Sequence, residues 1–592
     1  MKQDSLKGPN QADRKFVYPV IFFTLALTMV PYIQGYLLSN GRTYLWMGYN
    51  LDDACVYLSW MRQAMHGSIH QYNLFTTDSQ PPMLANPLFW ILGVTGGITH
   101  LPLLFLFHAA RLVGAFFLLL VVWQLICETV KHNLSRRASL LFVCFASGLG
   151  WLPLFWPNEG VSIFRLPIDI WQPEAVTFLS IYLSPLFAVS MLLQAGVILL
   201  LYRSYHSGRT DLAVKAGLCI LILGLVHTYD VVGLTLTWIA FLLVRILMKD
   251  PLATSRKTWN NTLIAAILGL PGIAVIAWEL HSNSIFHKRA AVPTLAPGIE
   301  WILIGYGFTL LLALIPVYLA SKGRKTLQPA EVEMEDSISF HSQFNARDAF
   351  SLLLVWAISQ LIACYLPVAF QRKMIQGEHF PLAILAGVGA GYLLSRMRKP
   401  RLQSMALAGL TLFLSLSNIR FLQREMSNNA QDRVQTLQQR PYLLSGEVAA
   451  LNWIRHSLPA GAAVQPLPWV KVFIGANGQG HLAATDMTLA CVMPGLTGHA
   501  VWCGHWGETP EYGPKLGDLM RFALPQTTTA SRMALLLRIK VSYLIFSQKS
   551  PTDIQASDLA PMFRGQILPP SYLTKVYSNV DADVYKIQFP SP

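Results

Sequence analysis

About eleven stretches of this chain are apolar over a length that reads as a membrane crossing, and a soluble fold cannot bury that many. They run Val17–Leu38, Leu101–Cys127, Leu140–Trp156, Val176–Leu201, Leu212–His227, Val231–Leu247, Leu263–Leu280, Trp301–Ala320, Phe350–Phe370, Pro381–Leu394 and Met405–Ile419. Basic residues collect between alternate stretches: Lys131, Arg136 and Arg137, then Arg203 and Arg209, then Arg245, Lys249, Arg256 and Lys257. Lys322, Arg324 and Lys325 follow, and then Arg396, Arg398, Lys399 and Arg401. The positive-inside rule places these loops in the cytoplasm, together with an N-terminus that carries Lys2, Lys7, Arg14 and Lys15. The first stretch is too long for a signal-peptide core and lacks a cleavage site, so it reads as an uncleaved helix. An odd number of crossings then sends the C-terminal part outside.

The expected fold is a polytopic α-helical membrane protein of about 11 transmembrane helices over residues 1–420, with outer loops 39–86 and 157–175. Residues 421–592 are expected to form an extracytoplasmic α/β domain. Within it, Glu447–Arg455 has helical spacing, with Val448, Leu451, Trp453 and Ile454 broadly on one side. Ala463–Leu467 and Val541–Phe546 read as short buried strands, and Val576-Tyr577 with Asp583–Ile587 as a closing hairpin. Only 13% of residues are charged, against roughly 25% in an average soluble domain. The net charge of +14 would suggest nucleic acid in a soluble protein, but here it reports basic cytoplasmic loops. Without a zinc-finger spacing, P-loop or basic-aromatic array, a nucleic-acid partner is excluded. Seven cysteines occur without a CxxC; Cys491 and Cys503 are the one plausible disulfide pair if their domain is extracytoplasmic.

Four polar clusters fall at predicted outer helix ends. The first is Asp52, Asp53, Tyr57 and Arg62, followed by His66, His70 and Asp78. Adjacent carboxylates there can bind a metal or supply a base, or they can cap a helix starting near Ala54; spacing alone leaves these readings level. The second is Glu159, Arg165, Asp169 and Glu174, where Glu174 after Pro173 also suits the first turn of a helix. The third is His227-Thr-Tyr-Asp230, either a ligand pair or a hydrogen bond that holds a turn. The fourth is Gln371–Phe380, in which Arg372 and Lys373 sit where outer-face cations are scarce, near Glu378 and His379. Cations kept there need an anionic partner, and a substrate phosphate suits Arg through paired hydrogen bonds. Carboxylates for a base, with cations for a phosphate leaving group, suit group transfer from a phosphate-bearing lipid.

The acidic first loop Leu-Asp-Asp-Ala-Cys-Val-Tyr-Leu, an acidic second loop, the many-span body and a soluble C-terminal domain together resemble the GT-C superfamily of membrane glycosyltransferases. Asp52–Leu58, His227–Asp230 and Arg372–Leu382 look similar to segments of bacterial members of this type. The resemblance implies an inverting glycosyltransferase of the cell envelope, moving a sugar from a polyprenyl-phosphate donor to a glycan, lipid or protein acceptor. It further implies a bacterial inner membrane and a first-loop Asp as base, with Asp53 preferred over Asp52. Arg372, with Lys373, would stabilise the phosphate, and Tyr57, Asp169, Glu174, His227, Asp230, Glu378 and His379 would line the substrate site. In metal-dependent members a first-loop Asp instead helps hold a divalent metal; here Asp169 and Glu174 lie five apart rather than in a tight acidic triplet, which favours a metal-independent lipid-monophosphate donor over that alternative, and no other cofactor is expected. Two other classes stay open: a flippase or transporter of a lipid-linked sugar, and a non-catalytic membrane assembly protein. The missing internal repeat, and polar groups gathered at one surface, count against the transporter.

Overall fold

The computed structural model describes residues 11–155, 165–323, 343–434, 439–474, 480–522, 524, 527–547, 558–559 and 572–589. Glu159 lies outside the described residues. Among the described residues, six helices are long and apolar enough to cross a membrane: Asp13–Leu37, Leu103–Thr129, Pro185–Ser207, Tyr229–Leu247, Arg256–Ser282 and Ile299–Lys322. Pro400–Leu414 and Leu416–Ala430, bent by 49° at their junction, make a seventh if they form one span. The protein is therefore a polytopic helical membrane protein, but about eleven crossings are not reached by this measure. The four remaining expected spans correspond to Asn133–Phe145, Thr210–Val226, Arg347–Ala363 and His379–Leu394, of 13, 17, 17 and 16 residues. At about 1.5 Å per residue, a helix of 16 residues falls short of a hydrocarbon core roughly 30 Å thick. His379–Leu394 is apolar all round for a different reason, being buried in protein from His379 through Gly391.

The chain divides into two units. The first comprises Met1–Val30, His108–Trp278 and Pro293–Gln423. Its helices approach closely where side chains are small: Gly387 and Gly391 of one helix face Ser139 and Ser135 of another. Two loops are pinned inside it. Ser147–Gly150 is held by Asp169, and the short 3-10 turn Gln371–Ile375 enters the helix His379–Leu394 through Gly377. Gly377 has φ +89°, and a Cβ there would collide with the Gln194 side chain, so only glycine fits.

The second unit comprises Pro31–Phe107, Glu279–Val292 and Arg424–Pro592, so the loop 39–86 clusters with the C-terminal residues. A four-stranded sheet runs in the order Leu573–Ser578, Ala582–Ile587, Tyr543–Ser547, Val464–Pro466. The last two pair in parallel and the others antiparallel, so the expected strands and the closing hairpin all form one sheet. The helix Ser445–Ser457 covers the stretch read as helical, with Ala450, Leu451 and Ile454 buried. Trp502, Leu519, Phe522, Leu536, Leu544 and Tyr585 are among the residues of one apolar core under this sheet. All seven cysteines are free; Cys491 and Cys503 are both buried, and Cys491 meets Cys55 rather than Cys503.

Candidate functional site

The acidic pair sits in the first turn of the helix Leu51–Met65, in the second unit. Carboxylates suit a helix N-terminus, where the backbone N–H groups point outward. Neither Asp caps it. The helix starts at Leu51, three residues before the expected start, and Asn50 holds the N-cap position without a capping bond. The Asn50 amide Nδ2 instead donates to Asp53 Oδ2 at 2.5 Å. The helix packs against Pro87–Thr99, where Gly93 lies against Met61 and Ala64, and against Thr488–Thr497, where Gly495 lies against Leu58 and Cys55. Arg62 locks the second contact by donating from Nε to Gly495 O at 2.5 Å. Tyr57 serves this packing: its ring is buried and stacks on Phe89 at 4.5 Å.

Two residues that sequence reasoning missed complete the cluster. The Trp506 indole N–H donates to Asp52 Oδ2 at 2.8 Å. His505 Nε2 lies 3.4 Å from Asp53 Oδ1 and 3.6 Å from Asp52 Oδ2. Their turn is fixed by Thr509, whose hydroxyl accepts from the Gly504 and His505 amides and donates to Phe75 O. The two acids consequently differ. Asp52 is buried, with 2% of its side chain exposed, whereas Asp53 shows 37%. Burial first, and the Asp53 charge second, push the Asp52 carboxyl up to about 6.

His505 Nδ1 accepts from the backbone amides of both Gly507 and Glu508 at 3.0 Å. That geometry assigns the neutral ring proton to Nε2, facing the acids. The carboxylates raise the imidazole pKa against the opposing effect of burial. A second proton would nevertheless have to sit on Nδ1, in the path of two N–H donors, and the ring is held neutral until that turn opens. The same geometry tests a metal. Ligand atoms of Asp52, Asp53 and His505 lie within 4.8 Å of one another, so the donor types suit an ion. A metal-bound histidine, however, donates its other ring N–H, and here that nitrogen is an acceptor. As folded, His505 does not fit as a ligand.

The other residues expected to line the substrate site or hold its phosphate lie in the first unit. The Asp169 carboxylate is fully buried and accepts from Gly148 N at 2.9 Å and Gly150 N at 3.1 Å, which makes it a clasp for that loop. Burial pushes it up to about 6 against those bonds. His227 Nδ1 and Asp230 Oδ1 lie 2.9 Å apart, close but outside hydrogen-bond geometry, and Asp230 accepts from Gln376 Nε2 at 2.9 Å. Asp230 is thereby tied to the basic segment. Arg372 and Lys373 are half-buried, and each lies over an aromatic face: the guanidinium 5.6 Å from the Trp171 ring, the ammonium 4.6 Å from Tyr229. Glu174 and Glu378 are buried, each with Oε2 unbonded, and His379 Nδ1 meets the Thr177 hydroxyl at 2.8 Å.

No protein-family model and no curated protein sequence matches the chain. Among solved structures, it is similar to ArnT from Cupriavidus metallidurans in the apo state, with 12% identity and a TM-score of 0.49 over 98% of this chain and 100% of that one. The same protein bound to undecaprenyl phosphate gives 11% identity and a TM-score of 0.48, over 96% and 99%. The oligosaccharyltransferase AglB from Archaeoglobus fulgidus, in complex with an inhibitory peptide and a dolichol-phosphate, gives 11% and 0.47, over 91% and 70%. At these values the functional reading rests on the chain's own residues.

Proposed function

We propose that the chain is a GT-C-type glycosyltransferase that moves a sugar from a polyprenyl-phosphate donor to an acceptor hydroxyl, with inversion, at the outer face of a bacterial inner membrane. The observation that carries this reading is the asymmetry of the adjacent acids. Asp53 is accessible and oriented by Asn50 and His505, while Asp52 is buried and tied to Trp506. An accessible, oriented carboxylate is what a general base requires.

In the reaction, Asp53 takes the acceptor hydroxyl proton as that oxygen attacks the anomeric carbon. The new C–O bond forms on the face opposite the phosphate, the bond to the phosphate oxygen breaks, and the electron pair leaves on the polyprenyl phosphate. Neutral His505, with Nε2–H towards both acids, steadies Asp53 without neutralising it. Within the first unit, Arg372 and Lys373 are the groups proposed to bind a lipid phosphate, as adjacent cations suit an anion. Their aromatic supports, Trp171 and Tyr229, restrict them in advance of binding. No step is assigned to a metal, because His505 as folded offers no lone pair from Nε2.

Incubating the purified chain with polyprenyl-phosphate sugars and candidate acceptors, with EDTA present, should release polyprenyl phosphate and form a glycoside of inverted configuration. Release that stops with EDTA and returns with a divalent ion would refute the metal-free reading. No release from any donor would refute the transferase.

A further inference from the structure

Four glutamine side chains, each with no exposed surface, converge on the single turn that carries Arg372 and Lys373. Gln172 donates from Nε2 to Arg372 O at 3.0 Å. Gln360 donates to Met374 O at 2.7 Å and to Gln376 O at 2.6 Å. Gln194 adds a second bond to Gln376 O at 3.1 Å. The Gln376 side chain turns inward and donates to Asp230 Oδ2 at 2.9 Å and Ser190 Oγ at 2.5 Å. The amide orientations of Gln172, Gln194 and Gln360 are fixed by chemistry, since a flipped amide would set oxygen against a carbonyl oxygen.

A buried amide in an apolar helical unit is unfavourable unless it is bonded, so four around one turn need a reason. Backbone carbonyls are satisfied more simply by continuing a helix. Here the chain leaves its α-helix at Ala363 and does not resume one until His379, and the glutamines satisfy the carbonyls of Arg372, Met374 and Gln376 in between. The result is a short 3-10 turn held from outside rather than a continuing α-helix. On it, two adjacent cations are held over two separate rings. Such a turn loses little conformational freedom when an anion binds.

We propose that Gln172, Gln194, Gln360 and Gln376 are positioning residues that hold the Gln371–Glu378 turn so that Arg372 and Lys373 meet the donor phosphate. This rests on the reading of Arg372 as the phosphate anchor. It also gives Asp230 a role in the cradle, through Gln376, in place of direct contact with substrate.

The test is a double-mutant cycle on the full chain in nanodiscs, using a short polyprenyl monophosphate as the probe. Gln360→Leu should raise Kd at least about tenfold, the scale of a lost hydrogen bond. In a background carrying both Arg372→Ala and Lys373→Ala it should change Kd by less than about twofold, because its effect runs through those two cations. A merely structural role would give the same loss in both backgrounds, and additive losses overturn the proposal. If Gln360→Leu does not fold, Gln172→Leu enters the same cycle. A wild type that does not bind the probe refutes the phosphate reading instead. The cradle is then read by amide exchange over residues 371–378: lost protection in Gln360→Leu upholds a held turn, and unchanged protection overturns it.

Discussion

Asp52→Asn should make the protein more stable at neutral pH, although it removes half of the acidic pair. Asp52 is 1% exposed, and its carboxyl is pushed from 3.8 to about 6. At about 1.4 kcal/mol per unit, keeping it ionised in the folded chain costs about 3 kcal/mol. The folded pKa is the higher one, so the protonated acid contributes stability that is fully present below pH 3.8 and lost as pH rises through about 6. Asparagine fills the same space and its oxygen can still accept from Trp506. Its new N–H2 falls where Asp52 Oδ1 has no partner, which takes back about 1 kcal/mol. The net gain is about 2 kcal/mol at pH 7.5, and at pH 4, where the ionisation cost has gone, the variant is about 1 kcal/mol less stable. Fluorescence-monitored melts of the purified protein at several pH values should show the variant melting a few degrees higher at pH 7.5, with the gap closing below pH 6 and reversed at pH 4. A variant that melts lower than wild type by the same amount at every pH would refute the reasoning.

Trp506→Phe keeps a ring but removes the N–H that Asp52 accepts, so it should destabilise by about 1–2 kcal/mol. The loss should be larger at pH 7.5 than at pH 4, and the same melts read it. Gly93→Ala forces a methyl group into Met61 O and Ala64, so the helix carrying the acids must shift; melts should show a loss of about 1–3 kcal/mol. Arg372→Ala should weaken polyprenyl-phosphate binding about ten- to a hundredfold. Arg398→Ala, at an exposed position, should leave the measured Kd unchanged.

Much of this arrangement was legible in the sequence, for reasons that also explain what was not. Asp52 and Asp53 stood out because two adjacent carboxylates near a membrane surface are expensive, and Arg372 and Lys373 because they oppose the charge rule. His505 and Trp506 lie some 450 residues further along, and nothing local ties them to the acids. A His-Trp-Gly turn between buried Cys503 and Pro510 was the available signal. The cradle glutamines were invisible to a search for charge, being neutral: Gln194 and Gln360 lie inside apolar stretches, and Gln172 and Gln376 lie beside charged residues that drew the attention. Hydropathy also could not distinguish His379–Leu394, surrounded by protein, from a helix facing lipid, because both are apolar all round. The capping question was misjudged by three residues, since the helix begins at Leu51 and takes both acids into its first turn.

The central claim is that Asp53 is the base and Asp52 its buried neighbour, and rates of sugar transfer by the two single variants test it most directly. Asp53→Asn should lower the rate by about 10²–10⁴-fold while the protein stays folded, and Asp52→Asn should keep most of the activity. Equal losses in both variants, or full activity in Asp53→Asn, would contradict the account.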